Sequence, residues 1–177
     1  FLQVDNGYTY LEPGIYQHLD YVDSWICSSA KFPGGARKIA ELIRARGLEP
    51  GIWFNPDFYN YELKPGQRDV ICRDVNGRAR GSLWIKHMPD MSDYTITNYY
   101  VPVFEAFKKA GFKYLKIDGL RHILFEGLNI AYEPKEAQRR LRNFALAARV
   151  ALGDDVYLLG CWGMLTEIAG TFDACRI

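Results

Sequence analysis

The chain of 177 residues predicts a parallel α/β architecture, an incomplete eightfold β/α (TIM) barrel with about six of its eight units. Short apolar runs bounded by glycine or proline alternate with amphipathic helical stretches, and polar residues cluster at the carboxyl ends of those runs. No glycine-rich turn follows the first run. Asp5-Asn6-Gly7-Tyr8 offers a single glycine, and roughly 25 residues pass before the first helix, so a doubly wound nucleotide-binding sheet is the weaker reading.

Residues 1–5 read as the first strand. Residues 34–46 place Ile39, Ala40, Leu42, Ile43 and Ala45 between basic side chains, an amphipathic helix stopped by Gly47. Residues 48–54 return as the second strand and end at Asn55-Pro56. The connection over 57–83 is long, and such loops tend to carry function. Within it, 68–73 and 78–84 flank Asn76-Gly77 as a hairpin. Residues 84–91 are expected as the third strand, 99–110 as the helix behind it and 113–118 as the fourth strand. Residues 134–152 form a long helix with Leu141, Phe144, Ala145, Ala148 and Leu152 on one face and Arg139, Arg142 and Arg149 mostly off it. A fifth strand over 156–161, a short helix over 164–169 and the start of a sixth strand over 172–177 complete the pattern. A whole barrel takes about 250 residues. Residues 1–177 are therefore expected to be one partial catalytic barrel domain, cut at both ends and short by roughly two β/α units.

Apolar residues make up 49% of the chain and the formal net charge is +1, which implies a sizeable core and no basic footprint for nucleic acid. No run approaches the roughly 18 apolar residues of a membrane span, and no signal peptide is read. Compartment and oligomeric state are not specified by these residues. Aromatics reach 15%, a supply that serves both core packing and sugar faces. Cys27, Cys72, Cys161 and Cys175 lack zinc-like pairing, and His18, His87 and His122 lack ligand spacing, so neither metal nor cofactor is expected.

The most informative stretch is Lys113-Tyr114-Leu115-Lys116-Ile117-Asp118-Gly119. Alternation along a strand puts Lys116 and Asp118 on one face, with the ammonium beside a carboxylate at the strand's carboxyl end. That end is where barrels of parallel strands house their chemistry. A positioned carboxylate there suits the nucleophile of a covalent glycosidase, and equally a strand-end aspartate without chemical duty.

Several clusters then converge on a family. Val4-Asp5-Asn6-Gly7-Tyr8, Lys31-Phe32-Pro33-Gly34-Gly35, Gly47 through Pro56 with Trp53 near its end, Tyr114 through Asp118, and Gly160-Cys161-Trp162-Gly163 with Arg176 occur in an order and spacing that cover the chain. The ordered set resembles clan D glycoside hydrolases, families 27 and 36, which contain the α-galactosidases. The resemblance implies a retaining α-glycosidase with Asp118 as nucleophile and Lys116 as a ligand to ring hydroxyls. It implies that Asp5 accepts from the sugar at its 4- or 6-hydroxyl, with Asn6 beside it, and that Trp53 is an apolar wall. Cys161 and Trp162 would line the pocket, and Arg176 would reach the 2-hydroxyl or the catalytic acid.

Each of these also has a structural reading. Trp53 and Trp162 suit barrel packing, Cys161 a small buried hydrophobe, Arg176 a surface ion pair and Lys116 a counter-charge. Asp90 and Asp93 match a weaker pattern, Asp90 as a structural residue and Asp93 as a helix cap or loop residue, and Asp57 is a candidate to face the cleft. Two departures stand out. Asn6 and Tyr8 replace the family's second aspartate and tryptophan, and an amide donates where a carboxylate only accepts. The family's acid/base aspartate falls beyond Arg176, and Asp173 precedes it on the wrong side. The partner expected is a carbohydrate, an α-galactoside or related oligosaccharide, and the chain alone is expected not to turn over. A clan relative acting on another α-linked sugar, a transglycosylase, and a non-catalytic sugar-binding barrel are the alternatives.

Overall fold

The computed structural model describes residues 1–9, 21–26, 32–56, 58, 63, 66–82, 86–162 and 165–177. The expectations resting on His18, Cys27, Lys31, Asp57, Trp84, Gly163 and Met164 lie outside them. Five strands, β1 (Leu2–Val4), β2 (Pro50–Phe54), β3 (Tyr114–Ile117), β4 (Tyr157–Cys161) and β5 (Ala174–Arg176), form one sheet in the order β1-β2-β3-β4-β5. Every neighbouring pair is parallel, with Gly51 opposite Tyr114, Lys116 opposite Leu159 and Cys161 opposite Arg176. Sequential parallel order is the arrangement of a barrel wall. Among the described residues β1 and β5 do not pair, so no closed barrel is formed.

The helices are α1 (Asp23–Ile26), α2 (Gly35–Arg44), α3 (Asp93–Thr95), α4 (Val101–Ala110), α5 (Leu120–His122), α6 (Asn129–Ala131), α7 (Pro134–Leu152) and α8 (Leu165–Ile168). A π-helical stretch, Ile96–Tyr100, joins α3 to α4, and another, Ile123–Leu128, joins α5 to α6. Alternation sends Ile52, Phe54, Leu115, Ile117 and Leu158 to one face of the sheet, each at most 1% exposed. Phe54 meets Phe104 and Phe107 of α4 at 5.4 and 6.1 Å between ring centroids, so that face is the one the helices cover. On α7 the expected stripe, Leu141, Phe144, Ala145, Ala148 and Leu152, is completely buried. The other sheet face carries Gln3, Trp53, Tyr114, Lys116 and Tyr157, with Tyr114 and Tyr157 stacked at 5.8 Å.

Among the described residues the sheet has five strands, where six were expected. The described residues of the segment expected as the third strand, 86–91, do not enter it, and β2 pairs directly with β3. Pro89 has no N–H for a central ladder, and Met91 takes a left-handed φ of 50°, which breaks an extended run. The described part of that segment instead packs on the preceding excursion. Ile71 bridges Pro89, and Cys72 N–H donates to Met88 O at 2.7 Å. The Asn76-Gly77 turn holds, with Arg73 bridged to Ala79 and Gly77 at φ 75°, although 67–70 coils as a 3-10 turn. The helix cap is Ser92, whose side chain accepts from Thr95 N–H, while Asp93 is the first helical residue. No helix of the described residues is long and apolar enough to cross a membrane.

Candidate active site

β3 hands the chain to the site one residue past its end. Asp118 N–H still donates to Phe54 O at 2.8 Å, and Gly119, at φ 75°, then turns the backbone into α5. A left-handed residue is needed at that turn, and glycine adopts it without a Cβ penalty. The Asp118 carboxylate is held from two sides. Trp53 Nε1–H donates to Oδ2 at 2.9 Å, and Gly119 N–H donates to Oδ1 at 2.9 Å. The side chain keeps 21% of its surface open, enough for a small molecule to reach an oxygen lone pair.

Lys116 faces the same side, as alternation requires. Its Nζ lies 3.0 Å from Asp5 Oδ2 and 3.9 Å from Asp118 Oδ2, so the ammonium is shared and Asp5 is its nearer partner. The ammonium thus stands beside the Asp118 carboxylate, as alternation along the strand predicts, and also serves Asp5. Burial pushes the Asp5 carboxyl up, but the Asn6 amide, the Lys116 ammonium and the Gln3 amide outweigh it and hold the group below its usual range. Asn6 contributes its backbone N–H to Asp5 Oδ1 at 2.8 Å. Tyr8 is buried and donates to the Trp53 backbone O at 2.8 Å, which ties it to β2 beside the site.

Cys161 closes β4, fully buried, and burial together with the adjacent Asp118 carboxylate pushes its thiol up to about 11. A thiol in that state is protonated at neutral pH and a poor nucleophile. Arg176 lies opposite it in β5 with an exposed side chain. Trp162 follows with a φ of 76°, unusual for a residue other than glycine, and its N–H donates to Arg176 O at 2.9 Å. The structure thus gathers Asp5, Trp53, Lys116, Asp118 and Cys161, with Asn6 joined through its backbone and Trp162 and Arg176 at the edge.

Sequence reasoning missed three neighbours. Gln3 Nε2 donates to Asp5 Oδ2 at 2.5 Å, and its place two residues before Asp5 on one strand face was the available signal. His122 and Glu126 pair through Nδ1 and Oε1, and the His122 ring lies 5.6 Å from that of Trp162. The i, i+4 spacing of His122 and Glu126 would have suggested the pair had the helix after Gly119 been recognised. Asp173 accepts from Arg149 and from Leu158 N–H, and Asp90 pairs with Arg140, so both are engaged structurally. Among the described residues no group of three or more His, Cys, Asp or Glu could hold a metal ion.

No family model matches the chain. Alpha-galactosidase 1 of Pediococcus pentosaceus is 26% identical over 120 residues, 64% of this chain and 16% of that protein. TtGalA, an α-galactosidase from Thermus thermophilus solved in complex with stachyose, is 26% identical with a TM-score of 0.76 over 99% of this chain and 36% of its own. The chain is α-galactosidase-like. A variant of the GH36 α-galactosidase AgaA from Geobacillus stearothermophilus, in complex with 1-deoxygalactonojirimycin, shares the fold at 17% identity, with a TM-score of 0.64 over 97% of this chain and 26% of its own. The α-galactosidase-like chain therefore spans about a sixth of the curated relative and about a third of the Thermus chain. The resemblance to clan D glycoside hydrolases that the motifs suggested is supported by these relatives, and the parallel sheet agrees with their barrel.

Proposed function

We propose that this chain is the nucleophile-bearing wall of a (β/α)8 barrel that hydrolyses terminal α-galactosides with retention. Five sequential parallel strands would need three more for closure. The observation that carries the functional reading is the Asp118 carboxylate, held by Trp53 Nε1–H and Gly119 N–H at the carboxyl edge of β3 with Lys116 close by. Two fixed donors orient a carboxylate toward one point in space, which is what attack at an anomeric carbon demands.

In the proposed reaction an Asp118 oxygen bonds to C1 as the C1–O bond breaks, and the departing oxygen takes a proton from a second carboxyl group. Water deprotonated by that second group then attacks C1 and frees Asp118. Asp5 and Lys116 take the sugar hydroxyls, Trp53 and Cys161 line the ring, and Asn6, Trp162 and Arg176 complete the edge. Asp5 does not suit the acid. A general acid at neutral pH needs a raised pKa, and Asp5 is held low. The acid is accordingly assigned to a carboxyl outside the described residues.

The test is the full-length polypeptide with a p-nitrophenyl α-galactoside. Asp118→Asn should abolish release of nitrophenol, and a fluoroglycoside inactivator should leave its sugar ester on the peptide carrying Asp118. Near-normal rates in the variant, or an adduct on another side chain, would reject the assignment. Rates on aryl α-glucosides and β-L-arabinopyranosides separate the galactosidase from clan relatives, and galactose binding without hydrolysis would identify a non-catalytic barrel.

A further inference from the structure

The donors around Asp5 fall unevenly on its two oxygens. Gln3 Nε2 donates to Oδ2 at 2.5 Å, Lys116 Nζ donates to the same oxygen at 3.0 Å, and Asn6 N–H donates to Oδ1 at 2.8 Å. An ionised carboxylate offers about four lone-pair sites, shared equally by its oxygens. Oδ2 is therefore filled, and Oδ1 keeps one site. Because 56% of the Asp5 side chain is open, that remaining site is the one an outside hydroxyl can reach.

Gln3 suits this task by its length. Residues two apart on one strand face are separated by about 6–7 Å, a span that a glutamine amide crosses and an asparagine amide does not. The in-register neighbour of Gln3 on β2 is Gly51, which puts no side chain beside it, and the Tyr114 ring takes the space there, its Cδ1 2.8 Å from where a Cβ would stand. The amide turns along its own strand to Asp5. Asp5 is held below its usual range and so is ionised at neutral pH, where it can only accept, which fixes the amide nitrogen toward it. We propose that Gln3 is the positioning residue of the sugar site: by filling Oδ2 together with Lys116 it leaves Oδ1 as the acceptor of a single sugar hydroxyl in a fixed direction. Without Gln3 the carboxylate can turn and offer Lys116 either oxygen. This inference rests on Asp5 being a ligand to the substrate of the proposed α-galactosidase.

The experiment uses the full-length polypeptide with an aryl α-galactoside. The hydroxyls assigned to Asp5 are remote from C1, so a carboxylate out of place weakens substrate and transition state alike, which raises KM and spares kcat. Gln3→Met, which keeps the length of the side chain and removes the donor, should raise KM about fivefold to tenfold with kcat within about twofold. Gln3→Asn, which keeps the amide and loses the reach, should do the same. A carboxyl-carbon NMR titration, with the Asp5 resonance identified by its loss in Asp5→Asn, reads the contact itself: the Asp5 midpoint should rise in both Gln3 variants, because a carboxylate that loses a donor ionises less readily. An unchanged KM, a loss confined to kcat, or an Asp5 midpoint that stays in place would each overturn the positioning role while leaving the α-galactosidase reading intact. A parent polypeptide that leaves the galactoside unhydrolysed would instead overturn that reading, and the positioning role with it.

Discussion

The indole of Trp53 and the carboxylate of Asp118 join two adjacent strands through one hydrogen bond of 2.9 Å, made on the open face of the sheet. Trp53→Phe keeps the apolar wall and removes the donor. A hydrogen bond to a charged group contributes about 1.5–3 kcal/mol. In the full-length polypeptide kcat/KM on an aryl α-galactoside should fall about tenfold to a hundredfold, and the smaller ring should cost about 1–2 kcal/mol in chemical denaturation.

Lys116→Met tests the shared ammonium. Asp5 has a folded pKa below its usual value, so it contributes stability above about pH 4 that is lost as pH falls through the lower folded value. Without the Lys116 ammonium that depression shrinks, and acid unfolding should begin at a higher pH than in the parent. An acid titration followed by circular dichroism checks this, and an unchanged acid limb would show that Lys116 does not hold Asp5.

Arg149 fastens the chain beneath the site. Its guanidinium donates to Thr171 O at 2.9 Å, Gly153 O at 3.0 Å, Val156 O at 2.8 Å and Asp173 Oδ2 at 2.6 Å, tying α7 to both ends of the β4–β5 unit. Arg149→Ala strands several acceptors and should cost about 2–3 kcal/mol. Asp173→Asn, at a side chain 40% exposed, should cost under about 1 kcal/mol. Urea titration of both variants gives the comparison, and equal losses would contradict it.

Gly160 lets β4 lie close against its helices. A Cβ there would stand 2.5 Å from Ile168 Cδ1 and 3.1 Å from Phe172 Cδ2. Gly160→Ala should destabilise by about 1–3 kcal/mol and shift the adjoining Cys161. Thermal denaturation measures the first effect, and a changed rate of Cys161 alkylation under native conditions reports the second.

The elements with strong periodicity were legible without coordinates. The α7 stripe, the β2 run to Phe54 and the Tyr114–Ile117 strand all formed where their patterns placed them, because burying one face leaves little choice of register. The segment before Met91 misled because a short apolar run does not reveal whether its backbone finds a ladder, and Pro89 with a left-handed Met91 denied it one. The helical run from Leu120 went unread although Leu120, Ile123, Leu124 and Leu128 mark a buried face, since Gly119 and Gly127 interrupt the pattern.

Alternation along one strand put Lys116 and Asp118 on a common face at its carboxyl end, and the resemblance of the ordered motifs to clan D glycoside hydrolases added Asp5, Trp53 and Cys161. Partner choice was decided in three dimensions. That Lys116 lies nearer Asp5 than Asp118, that Tyr8 donates to the Trp53 backbone, and that His122 meets Trp162 are contacts between segments up to 111 positions apart. Their distances depend on how parallel strands stack in register, and no local pattern carries that information.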